Sequence, residues 1–275
     1  MTDMILVTGA NGNLGSATLA ALRARGAIAT GGSRTPGDGK LLLDFDEPSG
    51  IDLTGVSTLV LISAGYAEDD QVIRRHAAVL DAAARDGVRH VVYTSLTGAG
   101  DHLGFALAHR ATERLVRGRG VPWTILRNGL YAELFGGLLM WAGSGVESAF
   151  GDSGALAAVA RADLAEAAAV VAADPARHSG RTYDLVGTPI TAAGVAGRLG
   201  VPHRTIGLGE YRRRLHATPL LPFQPPMLVS IAASVRHGFL DGTSPDLADI
   251  LGRPVRDPLA VAVATASATA PQAFR

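Results

Sequence analysis

The sequence predicts an α/β protein, a doubly wound parallel sheet with helices on both faces and a smaller C-terminal lobe over its cleft. Three observations carry that expectation. Apolar runs of strand length alternate with helix-period stretches from Met4 to about Asn128. The fourth of them, over 58–63, is apolar along its length, as a strand covered on both faces must be. The first of them, Met4-Ile5-Leu6-Val7, leads straight into Gly9, Gly12 and Gly15, and a helical pattern follows at once. With 275 residues, 47% of them hydrophobic, the chain can bury the core that such a sheet needs.

Taken in order, Leu14, Thr18, Ala21 and Leu22 mark the first helix and Gly26 closes it. That strand–turn–helix order is an anion site: a helix N-terminus presents unpaired N–H groups and partial positive charge, which suits a phosphate. Gly9 allows the turn, Gly12 the close approach of a pyrophosphate, and Gly15 a helix lying tight on the strand, with Asn11, Asn13 and Leu14 along the same loop. A dinucleotide is the expected guest. Ala27-Ile28-Ala29-Thr30 reads as the second strand, ending in Ser33 and Arg34, with no acid before Asp38. An arginine there accommodates a 2′-phosphate where a carboxylate would favour NAD, so the junction predicts NADP(H); the alternative is a solvated loop arginine. Residues 40–46 read as a third strand whose acidic end, Asp44 and Phe45, either borders an adenine or caps a helix.

Residues 58–63 form the fourth strand, ending in the small residues Ser63, Ala64 and Gly65. The clearest helix spans 68–86, on the stripe Val72, Ile73, His76, Val79, Leu80 and Ala83. Val88 to Tyr93 is the fifth strand, followed by Thr94 and Ser95. Phe105, Ala108, Thr112, Leu115 and Val116 mark the next helix, and residues 121–127 the sixth strand, with Pro122 tolerated at its start. In such sheets ligands bind beyond the C-terminal strand ends, so Gly9, Arg34, Ser63 and Ser95 converge on one cleft. Beyond Asn128 the pattern loosens: an apolar helical stretch to Trp141, a Gly/Ser-rich loop to Gly154, an alanine-rich helix from Arg161, and a late strand over 182–186. The division expected is a cofactor-binding core over 1–150 that the late strand rejoins, a small substrate lobe over 151–260 and a flexible tail over 261–275.

Composition excludes several classes. Lys+Arg and Asp+Glu are both 25, leaving no electrostatic footprint for nucleic acid or an anionic membrane. There is no cysteine, which removes disulfides, thiolate catalysis and Cys-ligated metal. No metal-ligand spacing, Gly-x-Ser-x-Gly elbow or Walker pattern occurs. Met1-Thr2-Asp3-Met4 leads into a strand rather than a signal peptide, and no apolar run is long enough to span a bilayer, so a cytoplasmic location is expected.

Thr8-Gly9-Ala10-Asn11-Gly12-Asn13-Leu14-Gly15 has the Gly-x-x-Gly-x-x-Gly spacing of the extended and atypical short-chain dehydrogenases/reductases. Further segments resemble the NmrA-like branch, and particularly the bacterial type-2 NAD(P)H:quinone oxidoreductases: 59–63, 92–96, 126–131, 161–163 and the closing Leu251-Gly252-Arg253-Pro254. The resemblance implies a Rossmann-like fold, NADP(H) as cofactor and a small-molecule acceptor, a quinone or similar conjugated carbonyl. The chain departs from the wider superfamily in having no Tyr-x-x-x-Lys pair, Lys40 being its only lysine. In the quinone reductase branch a histidine takes the lysine's place, which the resemblance assigns to His109; helical spacing also allows a satisfied interior histidine. The resemblance also sets residues 128–133 along the nicotinamide side, with Arg161 nearby. His109, Asn128 and Tyr131 are then the candidates to hydrogen-bond a reduced acceptor, although residues 127–129 also read as a strand-to-helix turn with an Asn cap. Two other functions fit the same residues: a non-catalytic NADP(H) sensor that regulates a partner, and a biosynthetic reductase, epimerase or isomerase. A homodimer is compatible with all of them.

Overall fold

Seven parallel strands form the central sheet of the computed structural model, which describes residues 3–35, 37, 39–64 and 67–270. Asp38, Gly65 and the last five residues of the expected tail lie outside that description. The first half of the chain runs β1 (Met4–Val7), α1 (Asn13–Ala24), β2 (Ala29–Ser33), β3 (Leu41–Leu42), β4 (Val56–Ile62), α2 (Asp69–Arg85), β5 (His90–Leu96), α3 (Ala106–Gly118) and β6 (Trp123–Asn128). It continues α4 (Ala132–Gly137), β7 (Met140–Ala142), β8 (Gly145–Ser148), β9 (Ala155–Ala158), α5 (Arg161–Ala173), β10 (Arg181–Leu185), β11 (Thr188–Thr191) and α6 (Ala192–Leu199). It ends with β12 (His203–Thr205), α7 (Leu208–His216), α8 (Gln224–Arg236), α9 (Asp246–Leu251) and α10 (Pro258–Ala268).

The sheet order is β10-β6-β5-β4-β1-β2-β3, so the strand order reverses between β1 and β4. The glycine turn after β1 therefore sits at the switch point, where such sheets open a crevice. Alternation across each strand supplies the two faces. Ile5, Val7, Val60, Val92 and Leu126 pack with α1 and α5, whereas Leu6, Leu59, Leu61, Val91, Tyr93 and Ile125 pack with α2 and α3. The alanine-rich α5 lies on α1, and its Asp163, fully buried, anchors the segment after α9. Arg253 donates to that carboxylate at 2.8 Å, the Arg256 N–H at 2.7 Å, and the Arg256 guanidinium also reaches it.

A third cluster fills the lobe, with the Phe135 and Phe150 rings stacked 4.6 Å apart. Here the expectations need correction. The stretch read as helical to Trp141 ends its helix at Gly137, and Met140–Ala142 turns antiparallel onto β8 through Gly143 at φ +56°. The Gly/Ser-rich loop to Gly154 thus contains a strand, β8, which β12 joins in parallel. The tail expected to be flexible from residue 261 is helical to Ala268. Its Ala262 and Ala266 are fully buried, because Gly136 lets α4 cross the backbone of Ala262 closely. The third strand is two residues, not seven. Leu43 N–H still reaches the Ser33 carbonyl at 2.9 Å, but Asp44 then folds back to accept the Asp46 N–H at 3.0 Å. The second strand starts two residues later than expected and runs to Ser33. No helix among the described residues is long and apolar enough to cross a membrane.

Candidate active site

The glycine turn is built as its spacing requires. Gly9 has φ +59°, a conformation that side chains disfavour, and its carbonyl accepts the Gly12 N–H at 2.8 Å. A Cβ on Gly15 would stand 2.3 Å from the Gly9 carbonyl oxygen, so only glycine lets α1 seat on the turn. Gly12 caps α1 without a side chain, which leaves the first-turn N–H groups for an external acceptor.

Beside the turn, Asn11 Nδ2 donates to Ser33 Oγ at 2.6 Å and to Thr35 Oγ1 at 2.9 Å, while Lys40 Nζ donates to Asn11 Oδ1 at 2.6 Å. Arg34 is exposed in the bend that follows β2. The structure thus adds Lys40 and Thr35 to the cluster expected at the ribose. Thr35 had no signal beyond following Arg34. Lys40 had one, a second cation at the start of the run that reads as the third strand. The acids nearby are engaged: Asp46 takes a bidentate pair from Arg75 at 2.9 and 2.6 Å, and that hydrogen bond holds its carboxyl below the ordinary range.

Beyond the turn, a cavity of about 230 Å³ opens at the strand ends. Leu14, Ile62, Ser63, Thr94, Ser95 and Leu96 form its floor, Phe105 and His109 one side, and residues 128–131 with Leu134 the other; Met227 and Ile231 of α8 complete the lining. Leu14, Ser63, Thr94, Ser95, His109, Asn128 and Tyr131, all expected at the site, are therefore brought together. Arg161 is not part of this lining. Its guanidinium lies 5.0 Å over the Tyr131 ring, and its backbone N–H donates to the Glu133 carboxylate at 3.2 Å.

Several expected cofactor contacts are committed within the protein. Thr94 Oγ1 accepts the Ser63 N–H at 3.2 Å, and the Ala64 N–H donates to His76 Nε2 at 3.0 Å. Ser95 Oγ donates at 2.7 Å to Glu113, a buried carboxylate that sequence reading passed over. Burial pushes the Glu113 carboxyl up. Hydrogen bonds from Arg127 and Ser95 and the charges of Arg110 and Arg127 outweigh this and bring it down to about 2. Ser95 is thus an oriented acceptor, not a proton source. Polar atoms of the lining remain for a guest. Asn128 Oδ1 is buried with no partner, and His109 Nε2 has no protein partner among the described residues. Burial and the adjacent Arg110 push His109 down to about 4, so its ring is neutral at ordinary pH.

These features fit a dinucleotide. The uncapped helix accepts phosphate, the Gly9–Gly15 contact keeps the turn low, and Asn128 Oδ1 requires a donor such as a carboxamide. A larger cavity, about 770 Å³, lies at the opposite end of the sheet among Ile28, Ser57, Arg89 and His90. It is at the N-terminal strand ends, away from the helix N-terminus, and the buried unpartnered atoms lie elsewhere.

No family model matches the chain. Among known proteins, quinone oxidoreductase 2 of Escherichia coli is 33% identical over 215 residues, 74% of this chain and 73% of the relative. The chain belongs to the NmrA-like branch of the atypical short-chain dehydrogenases/reductases. The solved structure of that E. coli enzyme with NADPH superposes with a TM-score of 0.81 at 28% identity, over 94% of this chain and 98% of the other. The triphenylmethane reductase of a Citrobacter species, solved with NADP(H), gives 0.84 at 28% identity over 96% and 99%. A Streptomyces griseus reductase of (4-alkanoyl-5-oxo-2,5-dihydrofuran-3-yl)methyl phosphate is 32% identical over 282 residues, 92% of this chain and 94% of the relative.

Proposed function

We propose that this chain, an NAD(P)H-dependent oxidoreductase, uses NADPH to reduce a quinone or similar conjugated carbonyl. Bound NADPH supplies the hydride. Gly9, Gly12 and the N-terminus of α1 hold the pyrophosphate, Asn11, Ser33, Arg34 and Lys40 the 2′-phosphate, and Asn128 Oδ1 the carboxamide.

The observation that carries the acceptor is the lining of the 230 Å³ cavity, in which apolar walls surround a neutral imidazole and no side chain is charged. A flat uncharged ring fits that environment, whereas a phosphate-bearing acceptor would find no cation among the lining residues. His109 Nε2 meets the acceptor oxygen as a hydrogen-bond donor, and the apolar wall excludes water around it. An ordinary ketone also needs a proton donor, worth ~10²–10⁴-fold. The reduced quinone is an aromatic hydroquinone anion that a hydrogen bond suffices to stabilise, and the single proton that completes the hydroquinone comes from solvent on release.

The test is NADPH consumption against a panel of benzoquinones and naphthoquinones, with aliphatic ketones and a phosphorylated butenolide as controls. Turnover confined to the quinones is the expected outcome. Tight NADPH binding with no turnover on any acceptor would leave a cofactor-binding sensor instead.

A further inference from the structure

Tyr93 is the largest side chain in the sheet core with no exposure at all, and it is not used by the reading above. It lies on β5 with its ring edge-on to His76, 5.7 Å away, and its hydroxyl is 3.1 Å from His109 Nδ1. A phenol sealed from water must place its proton on a protein acceptor.

The surroundings restrict the choice. The Ala64 N–H donates to His76 Nε2, which therefore carries no proton, so the neutral His76 ring is the Nδ1–H form. That Nδ1–H goes to Thr112 Oγ1 at 2.8 Å, and Thr112 gives its own proton to the Ala108 carbonyl at 2.8 Å. The Thr112 and Ser63 hydroxyls also neighbour the phenol oxygen, but neither makes a hydrogen bond of good geometry with it. His109 Nδ1, at 3.1 Å, is the acceptor that meets the phenol with hydrogen-bond geometry. A proton received there leaves the neutral His109 ring with its hydrogen on Nε2, the nitrogen on the cavity side. In the opposite arrangement Nε2 would be an acceptor in the cavity that Asn128 also lines, whose Oδ1 is a second acceptor without a partner. Such a pair would offer an oxyanion no donor.

We propose that Tyr93 is a positioning residue: it donates its phenolic proton to His109 Nδ1 and so fixes the tautomer that presents Nε2–H to the acceptor cavity. The proposal rests on the reading of His109 as the oxyanion donor, and it assigns the missing tyrosine of the Tyr-x-x-x-Lys pair no direct substitute. Tyr93 acts one contact away from the reaction, through His109. Burial raises its phenol well above the ordinary value, which keeps the proton available for that contact at any working pH.

The experiment reads the tautomer directly, by ¹⁵N NMR of the imidazole rings in the cofactor-free wild-type protein, with His109→Gln identifying the signals. The expected result is an unprotonated Nδ1 and a protonated Nε2 for His109, changing to a tautomer mixture in Tyr93→Phe. Protonated Nδ1 in the wild type overturns the proposal, as does an unchanged ratio in Tyr93→Phe; should that variant fail to fold, the wild-type spectrum alone decides. The kinetic arm uses the best quinone. Tyr93→Phe is expected to lower kcat about tenfold, the scale on which removing the partner of a metal-bound imidazole acts, while the NADPH KM stays within about 2-fold. In the His109→Gln background, whose amide nitrogen replaces Nε2, adding Tyr93→Phe is expected to change kcat less than about 2-fold. Fully additive losses would overturn the coupling. Failure of all quinones to react would sink the functional reading while the spectrum still decides the tautomer.

Discussion

Two cations flank the end of β2. Arg34 is exposed in the bend after β2, and Lys40 is tied at 2.6 Å to Asn11, whose amide also holds the Ser33 hydroxyl. If both face a 2′-phosphate, Arg34→Ala and Lys40→Ala should each weaken NADPH binding by about 1.5 kcal/mol, roughly tenfold, less for the more exposed Arg34. NADH binding should change little. Fluorescence titration with both cofactors checks this, and equal losses for the two would separate the cations from the phosphate. Arg34 was legible because a strand-end arginine is a local pattern. Lys40 was noticed only as the sole lysine, since its position depends on a two-residue pairing, Gly32 with Leu41 and Ser33 with Leu42. Ser95 shows the converse. A small residue at a strand end reads as a cofactor contact, but its hydroxyl is spent on Glu113. That carboxylate is buried only because α3, β5 and β6 bring Arg110, Ser95 and Arg127 around it.

Among the elements, β1, its turn and α1 were readable because the signal is contiguous and the glycines have one physical explanation. The helices α2 and α3 carried clear apolar stripes. The late strand was found as well, and β10 pairs with β6 from Arg181↔Thr124 to Leu185↔Asn128. What escaped was α10, because an Ala/Thr/Ser run has no amphipathic stripe when its neighbours are equally close. The crossing of α4 and α10 depends on one atom's width: a Cβ on Gly136 would stand 2.2 Å from the Ala262 carbonyl oxygen, whereas one on Gly137 meets nothing nearer than Thr265 Cγ2 at 3.9 Å. Gly136→Ala should therefore cost about 1–3 kcal/mol by overpacking. Gly137→Ala should stay within about 0.5 kcal/mol. Because α4 also carries Leu134 in the cavity wall, Gly136→Ala should raise the KM of the acceptor and leave that of NADPH alone. Urea midpoints and steady-state kinetics of the pair check both points, and equal costs at the two glycines would show that the crossing is not tight.

At the scale of the molecule, the sheet that positions the site is held partly by histidines that must stay neutral. His76 ties the end of β4 to α2 and α3. His90 reaches Thr124 Oγ1 at 2.9 Å, and Thr124 donates to the His178 carbonyl, joining β5, β6 and the turn before β10. Burial pushes His76 down to about 3 and His90 to about 4, both well below the ~6.5 of an unfolded chain. With the folded values lowered, the unfolded state takes up the protons first as the pH falls. Their neutral-state stability is complete above about 6.5 and is lost progressively toward 4 for His90 and toward 3 for His76. At pH 5 the two rings together should cost about 4 kcal/mol, roughly 2 each. That is a large share of the ~5–15 kcal/mol of an ordinary domain. The carboxylates act in a different window. Glu113, lowered to about 2, stabilises above the unfolded carboxyl value and loses its contribution only as the pH falls below about 4.5. Between pH 6.5 and 5 the change in stability therefore belongs to the histidines. Urea unfolding at pH 7 and pH 5 measures it, and His90→Gln should remove about 2 kcal/mol of the difference because an amide does not titrate there, leaving the shares of His76 and of His109, which burial lowers to about 4. A midpoint that is the same at both pH values would mean that these rings are not neutral inserts of the fold.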